Sequence, residues 1–328
     1  MKDTLRIVFM GTPDFAVPSL QVLLEEGYQV VLAVTQPDRP KGRKRVLTPP
    51  PVKEAALRAG IPVFQPERIR LEEAVGHVAD YKPDLIVTAA FGQFLPNAVL
   101  EMPRYGCINV HASLLPKYRG GAPIHHAVMA GEAETGVTLI YMAKGMDTGD
   151  MISRVAIPIL DEDNTGILFD KLAREGAELL RRTLPELLAG RIQAEPQKHE
   201  EAILAPNIRR EDEFVDWNRP ARMVWNHIRG LSPWPVASTT WNGEIFKLWA
   251  ARLPEPGKAG GTPALPGTVL AVEDQGILVM AQDGPVLLTE VQPAGKKAMP
   301  VSQFRMGTTM KPGDVLGQKE TPNENKPE

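Results

Sequence analysis

The chain is short of cysteine and of long apolar runs, and both shortages narrow the class of protein. Its 328 residues include a single cysteine, Cys107, so an internal disulfide is excluded and the Cys-His spacing of a structural zinc site is absent. The first apolar stretch, residues 7–10, stops at Gly11-Thr12-Pro13, far short of a signal-peptide core, and no later stretch is long enough to span a bilayer. We therefore expect a cytoplasmic protein with no membrane segment and no bound metal.

The sequence also lacks an excess of either charge. The 37 Lys and Arg residues against 40 Asp and Glu residues leave a formal net charge of -3, so any nucleic-acid site must be a local basic patch. Hydrophobic residues make up 43% and charged residues 23% of the chain, which is typical of a globular protein and excludes a disordered chain. The length is about twice that of a common domain and favours two domains.

Five short apolar runs in the first half alternate with stretches of helical pattern. The runs occupy residues 5–10, 30–34, 61–64, 85–89 and 108–111, further strands are predicted at 137–142 and 151–158, and helices at 14–26, 122–130, 164–188 and 221–230. Near-continuous apolar strands separated by helices are typical of parallel strands covered on both faces. We predict an α/β fold in which residues 1–190 form a Rossmann-like, parallel-sheet domain.

A stretch without apolar periodicity, residues 191–208, predicts a linker between two domains. Beyond it, Asn242-Gly243 lies between two β-like runs, the pattern of a tight hairpin, and two later pairs ending in glycine separate further runs. We expect residues 209–318 to form a smaller, mostly antiparallel, OB-like β-barrel. The polar residues 319–328 are expected to be a disordered tail.

The turn after the first strand lacks the glycine pattern of a phosphate-binding loop. Its sequence, GTPDF at residues 11–15, matches neither G-x-G-x-x-G nor G-x-x-x-x-G-K-[ST], which argues against a dinucleotide or ATP. The crevice beyond the carboxyl ends of the strands therefore remains the place to expect another kind of ligand.

Two polar side chains project together from the end of the fifth strand. Because strand side chains alternate between faces, Asn109 and His111 point to the same side. Taken alone, the pair is equally well explained as strand-end polar groups that bond to loop backbone. Asp147, however, lies in a later loop between Gly145 and Gly149, and the three side chains suit the attack of an amine on a carbonyl carbon: an amide donor for the oxyanion, an imidazole that moves a proton, and a carboxylate that orients it.

Other candidates for chemistry near this strand are weaker. Ser113 lacks a nucleophile-elbow pattern, so we favour a loop-shaping or ligand-binding role over nucleophilic catalysis. Cys107 is interpreted as a small buried hydrophobe. His125 and His126 are adjacent and have no acidic partners nearby in sequence, so no metal is assigned to them.

Residues 106–151 have the sequence GCINVHASLLPKYRGGAPIHHAVMAGEAETGVTLIYMAKGMDTGDM, which strongly resembles the folate-dependent formyltransferases. The resemblance extends over nearly the full chain through GTPDFAVPSL at 11–20, TQPDRPKGR at 35–43, PVKEAA at 51–56, PWP at 233–235 and QPAGKKAM at 292–299. It implies formyl transfer from 10-formyltetrahydrofolate to the amino group of initiator methionyl-tRNA, by an enzyme expected to be a monomer.

The resemblance also implies roles for individual residues. It assigns catalysis to Asn109, His111 and Asp147. It assigns the folate side of the site to Phe91, Gly92, Ser113, Leu114, Leu115 and Pro116.

A basic segment carries the argument for RNA from the residues themselves. Five of the seven residues from 39 to 45 are basic, namely Arg39, Lys41, Arg43, Lys44 and Arg45, and neighbouring Pro and Gly residues predict an extended mobile arm. Such arms bind phosphates, although a solvated charge run without a partner has the same pattern. Together with Arg229, Lys296 and Lys297, the arm is expected to contact the acceptor arm of a tRNA.

Three other functions remain open from the sequence. A nucleotide-sugar N-formyltransferase needs uridine-diphosphate contacts rather than a basic arm, and a formyltetrahydrofolate hydrolase passes the formyl group to water. A catalytically silent RNA-binding module would have no need of Asn109, His111 and Asp147. The basic segment favours tRNA over the first two, and the three polar residues argue against the third.

Overall fold

Most of the apolar runs of the first half form one mixed sheet. A computed structural model describes residues 4–42, 45–255 and 264–317 of the chain. Its first nine strands are β1 (Arg6–Gly11), β2 (Gln29–Val34), β3 (Arg39–Lys41), β4 (Val46–Thr48), β5 (Val63–Phe64), β6 (Leu85–Ala89), β7 (Cys107–His111), β8 (Glu134–Tyr141) and β9 (Met151–Pro158). All but β3 and β4 join the sheet, in the order β5-β2-β1-β6-β7-β8-β9.

The sheet is parallel from β5 to β7 and antiparallel from β7 to β9. The five parallel strands confirm the predicted Rossmann-like arrangement. The loop of nine residues between β8 and β9 is shorter than a parallel crossover requires, so these two strands pair as neighbours in an antiparallel hairpin. Because β6 and β7 are parallel, their carboxyl ends bring Thr88 and Asn109 side by side.

Helices connect and cover these strands. They are α1 (Val17–Glu25), α2 (Pro51–Arg58), α3 (Glu72–Asp80), α4 (Asn97–Leu100), α5 (Pro123–Ala130) and α6 (Thr165–Leu188). The predicted helix at 14–26 begins as a single 3-10 turn, Asp14–Ala16, and α1 follows with Pro18 in its first turn, where the missing N–H of proline costs nothing. All side chains of β6 are buried, as expected for a strand covered on both faces.

The basic segment is not the extended arm that the sequence predicts. Its described residues form a hairpin in which β3 and β4 pair antiparallel. Gly42 and Arg45 both have positive φ values, 70° and 50°, and the Arg45 N–H donates to the Gly42 carbonyl at 3.0 Å, which closes the turn. Arg43 and Lys44 lie outside the described residues.

The remaining elements form an antiparallel sheet with two helices. They are α7 (Ala221–Gly230), β10 (Ala237–Trp241), β11 (Glu244–Arg252), β12 (Val269–Glu273), β13 (Gly276–Met280), β14 (Pro285–Gln292), β15 (Met299–Pro300) and α8 (Val301–Arg305). The strand order is β10-β11-β14-β13-β12, with β15 on β14. Asn242 and Gly243 have φ values of 51° and 78°, as a two-residue hairpin requires. The predicted antiparallel character is confirmed.

The chain divides into two compact units whose limits differ from the predicted domains. The first contains the described residues up to Pro123 with Glu134–Pro158 and Leu168–Pro206; the second contains Ile124–Ala133, Ile159–Ile167 and the described residues from Asn207 on. Two segments of the first half join the second unit because they pack there: Met129 contacts its apolar core, and the Thr165 hydroxyl donates to the Gly230 carbonyl at 2.6 Å.

The predicted linker is largely part of the first unit. Glu195 pairs with Met151 of β9 through two backbone hydrogen bonds of 2.8 Å, so residues in the 191–206 stretch are packed against the sheet. The predicted tail, residues 319–328, lies outside the described residues. Within the parts of the chain that are described, no helix is long and apolar enough to cross a membrane.

Candidate active site

Asn109 is held at the end of β7 by its neighbour on β6. The Thr88 hydroxyl donates to Asn109 Oδ1 at 2.8 Å, and the two residues are register partners in the sheet. With Oδ1 engaged as an acceptor, the Nδ2 group of Asn109 is the end of the amide that can donate to a ligand oxygen.

His111 lies two residues further along the same strand and is almost completely buried. Its Nε2 atom is 3.0 Å from the carbonyl oxygen of Tyr118. A carbonyl only accepts hydrogen bonds, so Nε2 carries a hydrogen. The other ring nitrogen, Nδ1, lies 3.6 Å from Asp147 Oδ1. A proton on Nδ1 would give this pair opposite charges, and the carboxylate would then stabilise the imidazolium.

The carboxylate of Asp147 is oriented by a backbone N–H group. The Gly120 N–H donates to its Oδ2 atom at 2.9 Å, which leaves Oδ1 facing His111. Its φ is 51°, which is a left-handed backbone conformation that residues other than glycine seldom adopt. A Cβ atom at Gly149 would overlap the Tyr141 carbonyl, so the loop after Asp147 needs glycine there.

Two buried residues that the sequence analysis did not single out hold this loop from behind. Gln197 donates from Nε2 to the carbonyl oxygens of Asp147, at 2.8 Å, and of Gly149, at 2.7 Å. Its Oε1 atom accepts from Arg119 Nε, at 3.0 Å, and Nη2, at 2.6 Å. Arg119 lies within residues 106–151, which carry the family resemblance, and a charged residue at that place in the sequence could have been noticed. Gln197 offered none, because it lies in the segment interpreted as a linker.

The Ser113 to Pro116 segment is fixed by a hydroxyl network. The Ser113 hydroxyl donates to the Lys117 carbonyl at 2.7 Å, and the Thr138 hydroxyl donates to the Ser113 carbonyl at 2.7 Å. The Leu115 N–H donates to Thr138 Oγ1 at 3.2 Å. Leu115 and Ser113 are buried, whereas Leu114 and Pro116 are half-buried. These contacts place Ser113 in shaping the loop and do not direct its hydroxyl at His111.

Phe91 and Gly92 follow β6, on the strand next to Asn109. The Phe91 carbonyl accepts from the Thr12 hydroxyl at 3.0 Å and from Gln36 Nε2 at 3.1 Å, and Gly92 has a φ of 85°. The loop therefore has a defined path, and its role on the folate side stays a prediction.

Among the residues predicted to contact tRNA, Arg39, Arg45, Lys296 and Lys297 are exposed. Arg39 Nη2 lies 2.7 Å from Glu67 Oε2 on the surface. Lys296 and Lys297 lie in the turn between β14 and β15, and the Lys296 carbonyl accepts from Gln292 Nε2 at 2.9 Å. Lys41 is the last residue of β3, before the turn of the hairpin.

The expectation for Arg229 needs correction, because its side chain is buried. Its guanidinium donates to the carbonyls of Leu160, at 2.6 Å, and Asp163, at 2.9 Å, and to Asn226 Oδ1 at 2.9 Å. It also lies 4.2 Å from the centre of the Trp225 ring. Burial lowers the pKa of this guanidinium. Its Nε and Nη1 donors are used inside the second unit, and the burial of the side chain argues against a phosphate contact.

The contacts of Cys107 and His125 are with other parts of the fold. Cys107 is buried, which confirms its interpretation as a hydrophobe, and burial raises the pKa of its thiol to about 12. His125 Nε2 lies 3.2 Å from the Trp234 carbonyl, and burial lowers the pKa of this histidine. No group of three or more potential metal ligands occurs in the described part of the chain.

Two family models match most of this chain. The formyl transferase model matches residues 5–184, and the model of the formyl transferase C-terminal domain matches residues 207–309. The chain therefore belongs to the formyl transferase family.

Curated proteins and solved structures are similar to this chain over most of its length. Methionyl-tRNA formyltransferase of Bacillus subtilis strain 168 is 58% identical over 313 residues, which cover 95% of this chain and 98% of that protein. The N-formyltransferase of Helicobacter canadensis, solved with folinic acid and dTDP-3-aminofucose, has a TM-score of 0.64 and 17% identity over 88% of this chain and 100% of that one. HypX of Aquifex aeolicus in complex with tetrahydrofolic acid has a TM-score of 0.63 and 22% identity, over 92% of this chain and 47% of that one. The two structures share the fold.

Proposed function

We propose that this chain transfers the formyl group of 10-formyltetrahydrofolate to the α-amino group of initiator methionyl-tRNA. The observation that carries the proposal is the 58% identity, over nearly the full length of both chains, to a protein named methionyl-tRNA formyltransferase. Identity at that level covers both matched family domains, whereas the sugar N-formyltransferase resembles this chain at 17% identity. The alternatives of a sugar acceptor and of water are therefore the weaker ones.

The three polar side chains supply what the transfer needs. The amine nitrogen attacks the formyl carbon, and the bond from that carbon to N10 of the folate breaks. The formyl oxygen gains negative charge, for which Asn109 Nδ2 is a donor. The attacking amine loses a proton and N10 gains one, and His111 can move that proton because Asp147 stabilises its charged form.

The other site residues extend the proposal to substrate binding. Phe91, Gly92 and residues 113–116 lie next to the strand end and would bind the folate. Basic residues would bind the RNA phosphates: Arg39, Lys41, Arg43, Lys44 and Arg45 in the basic segment, and Lys296 and Lys297 in the second unit. Of these, Arg39, Arg45, Lys296 and Lys297 are exposed. We also propose that the protein acts in the cytoplasm and that it is a monomer. Sedimentation of the purified protein tests the oligomeric state.

Offering three acceptors to one donor tests the proposed function. The full-length protein is incubated with 10-formyltetrahydrofolate and either methionyl-tRNA, an amino-sugar nucleotide, or buffer alone, and the formylated product is measured. We expect rapid transfer to methionyl-tRNA and little with the others. Preferential formylation of the sugar nucleotide, or equal loss of the formyl group in buffer, would replace the proposal with one of its alternatives. Binding of tRNA without any transfer would favour the silent RNA-binding module.

A further inference from the structure

Gln197 is placed to control the conformation of the loop that carries Asp147. Its amide group is buried, with 5% of the residue exposed. Both of its N–H groups are directed at the loop backbone, at the carbonyls of Asp147 and Gly149. One side chain therefore bonds to the carbonyl groups of the two residues that flank Thr148, the first of which is Asp147 itself.

The orientation of this amide follows from its partners. The carbonyl oxygens only accept hydrogen bonds, and the guanidinium of Arg119 only donates them. Nε2 must therefore face Asp147 and Gly149, and Oε1 must face Arg119. Exchanging the two ends of the amide would place acceptors against acceptors and donors against donors.

Arg119 makes the arrangement rigid. It is 6% exposed, and a buried guanidinium is tolerated only when its donors are satisfied. Two of its nitrogens donate to Gln197 Oε1, and Nη2 also lies 3.1 Å from His199 Nδ1. Since arginine is the donor, Nδ1 is the acceptor, and a neutral His199 then carries its hydrogen on Nε2.

These contacts form a closed frame around Asp147. Arg119 precedes Gly120, whose N–H bonds to the carboxylate of Asp147, while Gln197 bonds to the carbonyl of the same residue. The left-handed φ of Asp147 is unfavourable unless its surroundings impose it. The frame fixes both the backbone and the carboxylate, and hence the direction of Oδ1 toward His111.

We propose that Gln197, fixed by Arg119, is a positioning residue for formyl transfer, which acts by holding Asp147 in its productive conformation. The inference rests on the proposed function for its kinetic consequence but not for its effect on the loop. Gln197 touches no reacting atom. Its loss should therefore reduce kcat more than it changes the KM of either substrate.

The test compares Gln197→Met, which keeps the side-chain length without hydrogen-bonding groups, with Gln197→Glu, which keeps an acceptor for Arg119 but presents a carboxylate to the two carbonyls. We expect single-turnover transfer to methionyl-tRNA to fall on the order of a hundredfold in both, the loss typical of a misplacement of about 1 Å, with KM values within about threefold of wild type. Arg191→Met is the matched control. Arg191 lies in the same segment as Gln197, and its replacement removes an exposed ion pair with Glu186 of α6. This variant should leave kcat unchanged.

A double-variant cycle separates positioning from general support. If Gln197 acts through the carboxylate of Asp147, then Gln197→Met should cost little when added to Asp147→Asn, because the two losses share one cause. Equal losses in both backgrounds would mean that Gln197 supports the fold alone, and they would overturn the proposal. Wild-type kcat in the well-folded Gln197→Glu protein would also overturn it.

Amide hydrogen exchange of a peptide covering residues 143–150 gives a readout that needs no activity. We expect faster exchange in Gln197→Met and Gln197→Glu than in wild type and Arg191→Met. A wild-type protein that fails to formylate methionyl-tRNA would refute the proposed function, while the exchange rates would still decide the role of Gln197. Unchanged exchange in both Gln197 variants would contradict the inference.

Discussion

At the scale of single residues, the proposed chemistry depends on His111 and Asn109. In each of these side chains, a hydrogen bond within the protein determines which polar atom is left for the substrate. The Tyr118 carbonyl requires a hydrogen on His111 Nε2, so proton exchange is left to Nδ1, the nitrogen that faces Asp147. The Thr88 hydroxyl occupies Asn109 Oδ1 and leaves Nδ2 to donate. Each side chain therefore meets the substrate with one defined polar group, which reduces the reorganisation needed in the transition state.

Removing either strand residue should slow the chemical step. We expect His111→Ala to lower single-turnover formyl transfer by about 10²- to 10⁴-fold, the range for loss of a general acid or base. Asn109→Ala should lower it by about 10²- to 10³-fold, as for loss of an oxyanion donor. Dissociation constants for folate and tRNA should change little. Near-normal rates in either variant would remove that residue from the catalytic mechanism.

The positions of the candidate catalytic side chains were predictable from the sequence, and the residues that hold the Asp147 loop were not. Alternation along β7 places Asn109 and His111 on one face, and flanking glycines mark the Asp147 loop. Gln197 and Asp147 are 50 positions apart, and no local pattern predicts such a contact. Arg229 was misinterpreted for a related reason: a basic residue at a helix end is usually exposed, and only the tertiary fold encloses it among carbonyls.

At the scale of elements, tight turns and loops determine where the functional groups lie. The hairpin of β3 and β4 presents the basic segment on a paired ribbon, because left-handed residues at Gly42 and Arg45 close its turn. The Pro and Gly residues of this segment predicted an extended arm, and the pairing of β3 with β4 was not predicted. The Asn242-Gly243 turn, by contrast, was predictable because two consecutive left-handed residues are the known requirement of that hairpin.

Adding a methyl group to the loop that carries Asp147 should separate an effect on the position of the carboxylate from an effect on the stability of the fold. In Gly149→Ala the new Cβ atom would overlap the Tyr141 carbonyl, so the loop must move, and we expect a loss of kcat on the order of a hundredfold. Gly76→Ala in α3 is the control, because nothing lies within 4 Å of its added Cβ atom. It should keep kcat and raise the free energy of unfolding by about 0.5–1 kcal/mol. Kinetics and urea unfolding measure both, and normal kcat in Gly149→Ala would contradict the loop argument.

A buried histidine in α7 should make the second unit sensitive to acid. Burial lowers the pKa of His227 below its ordinary value of 6.5, and the charge of Arg219 lowers this pKa further. Hydrogen bonds to the backbone of Glu213 and Asp212 raise the pKa but do not cancel the effect of burial. Because the unfolded chain binds the proton more readily than the folded one, the stabilisation is complete above about pH 6.5 and is lost as the pH falls. His227→Gln should therefore show a smaller decrease in unfolding free energy between pH 7 and pH 5 than wild type. An identical decrease in the two proteins would rule out His227 as its source.

At the scale of the whole molecule, the chain carries almost no net charge, so binding of a polyanion has to rely on local groups. The two units each expose basic residues: Arg39 and Arg45 on the first, Lys296 and Lys297 on the second. The parallel strands of the first unit and the antiparallel second unit were predictable from the change in pattern near residue 208, whereas the antiparallel pairing of β7, β8 and β9 was not predicted. The assignment of residues 124–133 and 159–167 to the second unit was not, because it depends on packing between distant segments.

Removing the positive charges between β3 and β4 should weaken RNA binding and make that binding less dependent on salt. If Arg43, Lys44 and Arg45 all contact phosphates, replacing them with alanine should make the slope of log affinity against log salt shallower by about 2 and raise the KM for methionyl-tRNA. A protein with Arg174, Arg182 and Lys198 replaced instead has the same change in charge and should keep the wild-type slope. Folate affinity should be equal in all three proteins. Equal slopes would assign the hairpin charges to the solvated surface.

Single-turnover transfer by wild type and Asp147→Asn tests the central claim most directly. Both proteins are saturated with 10-formyltetrahydrofolate and methionyl-tRNA, and the rate of formylmethionyl-tRNA formation is measured beside the tRNA dissociation constant. We predict a rate lower by at least about a hundredfold in Asp147→Asn, because an amide cannot stabilise the charged form of His111 as a carboxylate does, with tRNA bound equally well. Equal rates in the two proteins would contradict the claim that Asn109, His111 and Asp147 form the site of formyl transfer.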